Sequence, residues 1–153
     1  MKILMVCLGN ICRSPLAEGI MQQHLESSGM QGHVDSAGVL SFHQGNPPQP
    51  GSIRVAANHG LDISQQKSRP FIIEDFDRFD LIFTMDRSVH EQISSLTTNP
   101  DQLSRTHLLL EFAGTNELFD VPDPYRMSDD AFEQVYQLID EACRAIVLKL
   151  KVD

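Results

Sequence analysis

The chain has 153 residues, 41% of them hydrophobic and 22% charged, with a formal net charge of −9. That length and balance suit a single globular domain with a buried core and exclude disordered and fibrous classes. The acidity argues against a nucleic-acid partner, which would need a basic face, and three cysteines do not make a secreted disulfide framework.

The apolar run Ile3 to Leu8 is too short for a signal-peptide core, and no stretch is long enough to span a bilayer. A cytoplasmic chain is therefore expected, with no membrane association and a monomer by default. Lys2–Val6 is predicted as a short buried strand. A helix follows from Pro15 to about Ser28, capped by Ser14, with Pro15 at its first position and Gly29 as its stop. His33–Gly38 is a second strand, and Leu40–Gly51, rich in Gly, Asn and Pro, is a turn segment.

A helix is expected from about Ser52 to His59-Gly60, and a buried strand over Asp80–Met85. Ser88–Leu96 is predicted helical, with a short fourth strand near Thr106–Leu109. Gly114–Met127 is a loop carrying Asp120, Asp123 and Tyr125. The last helix starts after Ser128 and turns Phe132, Val135, Ile139, Ala142, Ile146 and Leu150 to one face. Strand–helix alternation predicts an α/β fold, a four-stranded parallel sheet with helices on both faces. Ligands of such folds bind beyond the carboxyl ends of the strands, and Cys7 closes the first of them.

The segment Cys7-Leu8-Gly9-Asn10-Ile11-Cys12-Arg13-Ser14 dictates the chemistry. Its spacing lets the backbone curl into a bowl with inward N–H groups at a helix start, an anion site. Gly9 and Asn10 are the residue types that most readily take positive φ. A sulfur on the floor of such a cradle is expected to ionise below about 8.5, the free-thiol value. As a thiolate it would be a nucleophile aimed at phosphorus. The other readings are inert packing of Cys7, or a redox pair with Cys12. A zinc site is disfavoured by the Cys spacing and by the lack of a second Cys/His pair.

Cys7-Leu8-Gly9-Asn10-Ile11-Cys12-Arg13-Ser14-Pro15 closely resembles the signature loop of the low-molecular-weight protein tyrosine phosphatases. The similarity continues, in order, through Asp35-Ser36-Ala37-Gly38, Gly45-Asn46-Pro47, Asn58-His59-Gly60, Thr84-Met85-Asp86 and Asp123-Pro124-Tyr125. The resemblance implies that Cys7 attacks the phosphoryl group, that Arg13 clamps it with the loop Leu8 to Cys12 and Ser14, and that Asp123 is the general acid. Asp120 is the rival acid by position alone. Asn10, Ser14 and Ser36 resemble residues that hold the bowl in shape, and Asp86 is expected either to orient Arg13 or to cap a helix. Phe42 and Tyr125 are the expected aromatic walls, with Arg126 a cation at the rim. No metal or organic cofactor is implied, and the partners are tyrosine-phosphorylated proteins.

Two positions depart from the pattern. Arg126 stands where eukaryotic relatives tend to have a second tyrosine, and Gln65 stands near where many members have a histidine in the polar network behind the bowl. Three rival functions share features of the chain. An arsenate reductase on this fold needs two further cysteines after the third strand, and residues 81 to 100 contain none. A protein arginine phosphatase resembles this bowl but has threonine where Ile11 stands, and isoleucine's bulk favours an aryl group. A non-catalytic phosphotyrosine-binding module would not need Cys7, Arg13 and Asp123 together.

Overall fold

The computed structural model describes residues 1–152. Four parallel strands, β1 (Lys2–Cys7), β2 (His33–Gly38), β3 (Leu81–Thr84) and β4 (Thr106–Leu108), form one sheet in the order β2-β1-β3-β4. The helices are α1 (Arg13–Ser27), α2 (Pro50–Asn58), α3 (Asp75–Arg78), α4 (Arg87–Ser94), α5 (Pro100–Ser104), α6 (Leu109–Ala113) and α7 (Asp129–Val152).

Alternation along β1 explains the layers. Ile3, Met5 and Cys7 face a core built with α1, α2, α6 and α7. Leu4 and Val6 face the other way, onto Phe76, Phe79, Ile82, Val89 and Ile93. Burial on both faces makes the strand a near-continuous apolar run, as parallel sheets require. β1 is central, and the chain leaves it toward β2 on one side and β3 on the other. Its carboxyl end is therefore the switch point of strand order, where Cys7 lies.

Helix α1 buries Leu16, Ala17, Ile20, Met21 and Leu25, which share one face at helical spacing. It ends where Gly29 takes φ 73°. Pro50 opens α2 at a position where its missing N–H costs nothing, two residues before the expected start. In α7, Leu150 is only partly buried, while Tyr136, Cys143 and Val147 join the predicted face. The short helices α3, α5 and α6 escape periodicity, because four or five residues give too few repeats of a helical pattern.

Three local expectations are corrected. Helix α1 begins at Arg13 rather than Pro15, so Ser14 lies inside its first turn and caps nothing. Cys12 occupies the cap position without a side-chain bond, which frees the Ser14 hydroxyl for the site. Of the two bowl residues expected at positive φ, only Asn10 has it, at 57°. Room at Gly9 is tight instead: a Cβ there would lie 3.2 Å from the His43 ring, which would have to shift.

Candidate active site

The loop after β1 closes into the predicted bowl because its carbonyls are tied down from outside. Val39, Leu40 and Gln49 donate their amides to the carbonyls of Cys7, Leu8 and Ile11 at 3.0, 2.9 and 2.8 Å. The Ser68 and Ser52 hydroxyls donate to those of Gly9 and Cys12. With the oxygens turned outward, the amides turn inward. Among the described residues, no backbone carbonyl takes the N–H groups of Gly9, Ile11, Cys12 or Arg13. These amides and the start of α1 form a concentration of partial positive charge. Gly38 permits the approach of β2, since a Cβ there would come within 2.9 Å of the Gly9 backbone and 3.0 Å of Asn10 N.

Cys7 is buried at the floor of this bowl. Its sulfur receives the Asn10 amide at 3.3 Å and lies 3.0 Å from the Ser14 hydroxyl. Behind it runs a buried polar network centred on Asn10. The Arg69 amide donates to Asn10 Oδ1 at 3.0 Å, and Asn10 Nδ2 donates to Ser14 Oγ at 2.8 Å and Ser36 Oγ at 2.9 Å. The Ser36 hydroxyl in turn donates to Glu18 at 2.7 Å. Among the described residues, Gln65 bonds the neighbouring Ser64 hydroxyl and takes no part in this network. The network is wired through Glu18, which the sequence reading did not single out.

Arg13 has only 4% of its side chain exposed. Its Nη1 is fixed by Asp86 at 2.6 Å and by the Val121 carbonyl at 2.9 Å, so its other nitrogens keep the fork toward the bowl. Burial works against its charge. The Cys7 sulfur, Asp86 and Asp123 outweigh that penalty and raise its pKa. Asp86 binds Arg13 with one oxygen, and its second caps α4 through the Val89 amide at 2.8 Å.

The mouth of the bowl is a cleft lined by Cys7, Arg13, Leu40, Phe42, Asp123 and Tyr125, with Leu8, Gly9, Ile11, Cys12 and His43 completing it. Asp123 holds its loop with Oδ1, which accepts the Tyr125 amide, and places Oδ2 3.9 Å from Arg13 Nη2. Asp120 is outside the cleft. Arg87 pairs with it at 3.1 Å and holds its carboxyl below the usual range, first through their hydrogen bond. Phe42 stands 85% exposed beside His43, ring edge to face. Leu40 and His43 are wall residues that sequence reasoning missed, since nothing in a turn-rich segment marks which side chains turn inward.

Arg126 does not line the cleft itself but lies against Tyr125, one of its walls. Its guanidinium lies 5.2 Å from the Tyr125 ring centroid, within cation–π range. The Pro124–Met127 turn, closed by a 2.9 Å backbone bond, puts Arg126 at φ 63°, where glycine is usual. Cys143 is wholly buried in α7, and burial pushes its thiol up. His59 stacks on Tyr136 at 4.0 Å and pairs with Glu133, as a structural residue does. Among the described residues no cluster of His, Cys, Asp or Glu has the makings of a metal site. No described helix is long and apolar enough to cross a membrane.

A buried sulfur under inward amides, with a guanidinium and a carboxylate above it, is the layout the resemblance implies. The family model of low molecular weight phosphotyrosine protein phosphatases matches residues 2–153. The chain belongs to this phosphatase family. The low molecular weight protein-tyrosine-phosphatase YfkJ of Bacillus subtilis is 36% identical to it, over 98% of this chain and 96% of that protein. A protein tyrosine phosphatase from Entamoeba histolytica, with Hepes in its active site, superposes with a TM-score of 0.94 at 32% identity, covering 99% and 97% of the two chains. A Drosophila arginine phosphatase superposes with a TM-score of 0.92 at 32% identity, covering 100% and 99%. The phosphatase family therefore includes relatives named for two leaving groups, and the walls of the cleft bear on the choice.

Proposed function

We propose that this phosphatase hydrolyses phosphotyrosine and aryl phosphate monoesters in two displacements on Cys7. The observation that supports it best is the placing of Cys7 Sγ, Arg13 and Asp123 Oδ2 around one cleft, with Arg13 held by Asp86 and Val121. The phosphoryl oxygens fit the bowl amides and the Arg13 fork, which match their charge through the transition state. The Cys7 thiolate attacks phosphorus, an S–P bond forms and the P–O bond to the leaving group breaks. Asp123 gives its proton to the departing phenolic oxygen. Water then attacks the cysteinyl-phosphate, Asp123 takes back a proton, and the sulfur leaves as thiolate toward the Ser14 hydroxyl.

Phe42, Leu40 and Tyr125 make a slot for a flat ring, where aromatic contacts contribute about 0.5–1.5 kcal/mol per pair beyond burial. Ile11 forms part of the cleft lining. Its branched side chain takes space that a guanidino group would need for its own donors, and this supports an aryl substrate over phosphoarginine. Substrates would be tyrosine-phosphorylated proteins, with no metal or cofactor in the reaction.

The test is Cys7→Ser with an aryl phosphate and vanadate or phosphate as ligand. Hydrolysis should vanish while oxyanion binding stays measurable. Turnover near that of the unmodified enzyme would refute the nucleophile assignment.

A further inference from the structure

The hydrogen-bond direction of the network behind Cys7 is fixed by one group that can only donate. The Arg69 backbone N–H faces Asn10 Oδ1 at 3.0 Å, so the carboxamide oxygen must be on that side. The amide nitrogen then faces both serines and must donate to Ser14 Oγ and Ser36 Oγ. Each serine oxygen accepts from Asn10, which sends each hydroxyl proton elsewhere. Ser36 sends its proton to Glu18 at 2.7 Å, and Ser14 sends its own to the Cys7 sulfur at 3.0 Å. The Glu18 carboxyl thus stands at one end of a five-residue chain and the Cys7 sulfur at the other.

We infer that Glu18 is a positioning residue: by holding the Ser36 proton, its carboxylate fixes the chain through Asn10 and Ser14 that stabilises the Cys7 thiolate. A charged acceptor makes a bond roughly twice as strong as a neutral one. Protonation of Glu18 weakens the anchor on Ser36, and the grip of Asn10 on Ser14 loosens with it.

The surroundings let Glu18 change state near neutrality. Burial first, then the negative charge of Asp35, raise its carboxyl to about 7, against the lowering effects of Ser36 and Arg69. Arg69 cannot compensate fully, because its guanidinium is shared by Asp35 at 2.9 Å and the fully buried Asp75 at 3.0 Å. Glu26 of the same helix and Asp62 of the neighbouring loop line the open cavity beside Glu18. That cavity also gives the carboxyl a path to solvent protons.

The inference rests on Cys7 as the nucleophile, and its test does not need turnover. The rate of Cys7 alkylation by iodoacetamide, a neutral reagent, is followed by peptide mass spectrometry from about pH 5 to 9, a range centred on the value of Glu18. In Glu18→Gln the midpoint should move to higher pH, the rate near neutrality should fall about fivefold, and kcat/KM should fall with it. Glu18→Asp keeps the charge and should recover part of the loss. A midpoint unchanged in both variants overturns the inference. So does a shift to lower pH in Glu18→Gln, which loss of a nearby negative charge alone would produce. Should the unmodified protein fail to hydrolyse aryl phosphates, the nucleophile reading fails, while the alkylation comparison still reports whether Glu18 and Cys7 are coupled.

Discussion

Ser14 Oγ lies 3.0 Å from Cys7 Sγ while it accepts a hydrogen bond from Asn10 at 2.8 Å. The hydroxyl proton is thereby directed at the sulfur. This favours the thiolate as attacking group, and again as leaving group when the cysteinyl-phosphate breaks down. Ser14→Ala removes no helix cap but leaves buried Asn10 Nδ2 without one acceptor, so the fold should persist with about 1–3 kcal/mol less stability. A hydrogen bond to a charged group contributes about 1.5–3 kcal/mol, so kcat should drop roughly tenfold to a hundredfold. Stopped-flow kinetics should show a burst of phenol release before slow turnover. Loss of the burst together with kcat would assign Ser14 to the first step instead.

Asp123 Oδ2 faces Arg13 at 3.9 Å, while Asp120 is paired with Arg87 outside the cleft. An acid that protonates the leaving oxygen matters in proportion to how poorly that oxygen leaves. Asp123→Ala should therefore slow phenyl phosphate by about 10²–10⁴ and activated nitrophenyl esters much less. Equal losses across a leaving-group series would place the acid elsewhere. Asp120→Asn should leave the slope of that series unaltered.

The sheet and the bowl were legible because β1 is an unbroken apolar run and the segment from Cys7 to Arg13 has a spacing that only a few geometries satisfy. The cap assignment of Ser14 failed because Ser before Pro reads as a helix start whether or not the helix has already begun. Glu18 was invisible for another reason. It occurs in α1 among ordinary polar residues, and its significance depends on Ser36 and Arg69, which the chain brings in from 18 and 51 positions away. The same holds for His43 and Leu40, whose inward turn is set by tertiary packing. Arg126 was placed at the rim by its neighbour in sequence, while the left-handed turn that sets it against Tyr125, a wall of the cleft, left no mark in the sequence.

Cys12 shares the cleft with Cys7. Burial first, then the charges of Asp123 and Cys7, push its thiol up to about 12, so it stays protonated at neutral pH. Peroxide should oxidise Cys7 first, to a sulfenic acid. The Cys12 thiol can then condense with it, forming the S–S bond and releasing water. Activity lost to mild peroxide should return with dithiothreitol, and Cys12→Ser should lose that recovery as Cys7 passes to the sulfinic acid. Unchanged recovery in the variant would sink the switch.

Glu18 also makes a prediction about stability. Its ordinary value of 4.5 applies to the unfolded chain, and burial raises it to about 7 in the fold. The neutral form is therefore favoured by folding. The associated stability is fully present below the unfolded value, and it is lost as pH rises through about 7. Discounted for partial exposure, that loss is about 2 kcal/mol. Glu18→Gln cannot ionise, so urea denaturation should show it gaining on the unmodified protein between about pH 5 and 8. Parallel stability curves would mean that Glu18 does not change its proton affinity on folding. The expected pairing of higher stability with lower kcat/KM at neutral pH is the trade seen where a residue is kept for its chemistry at the expense of the fold.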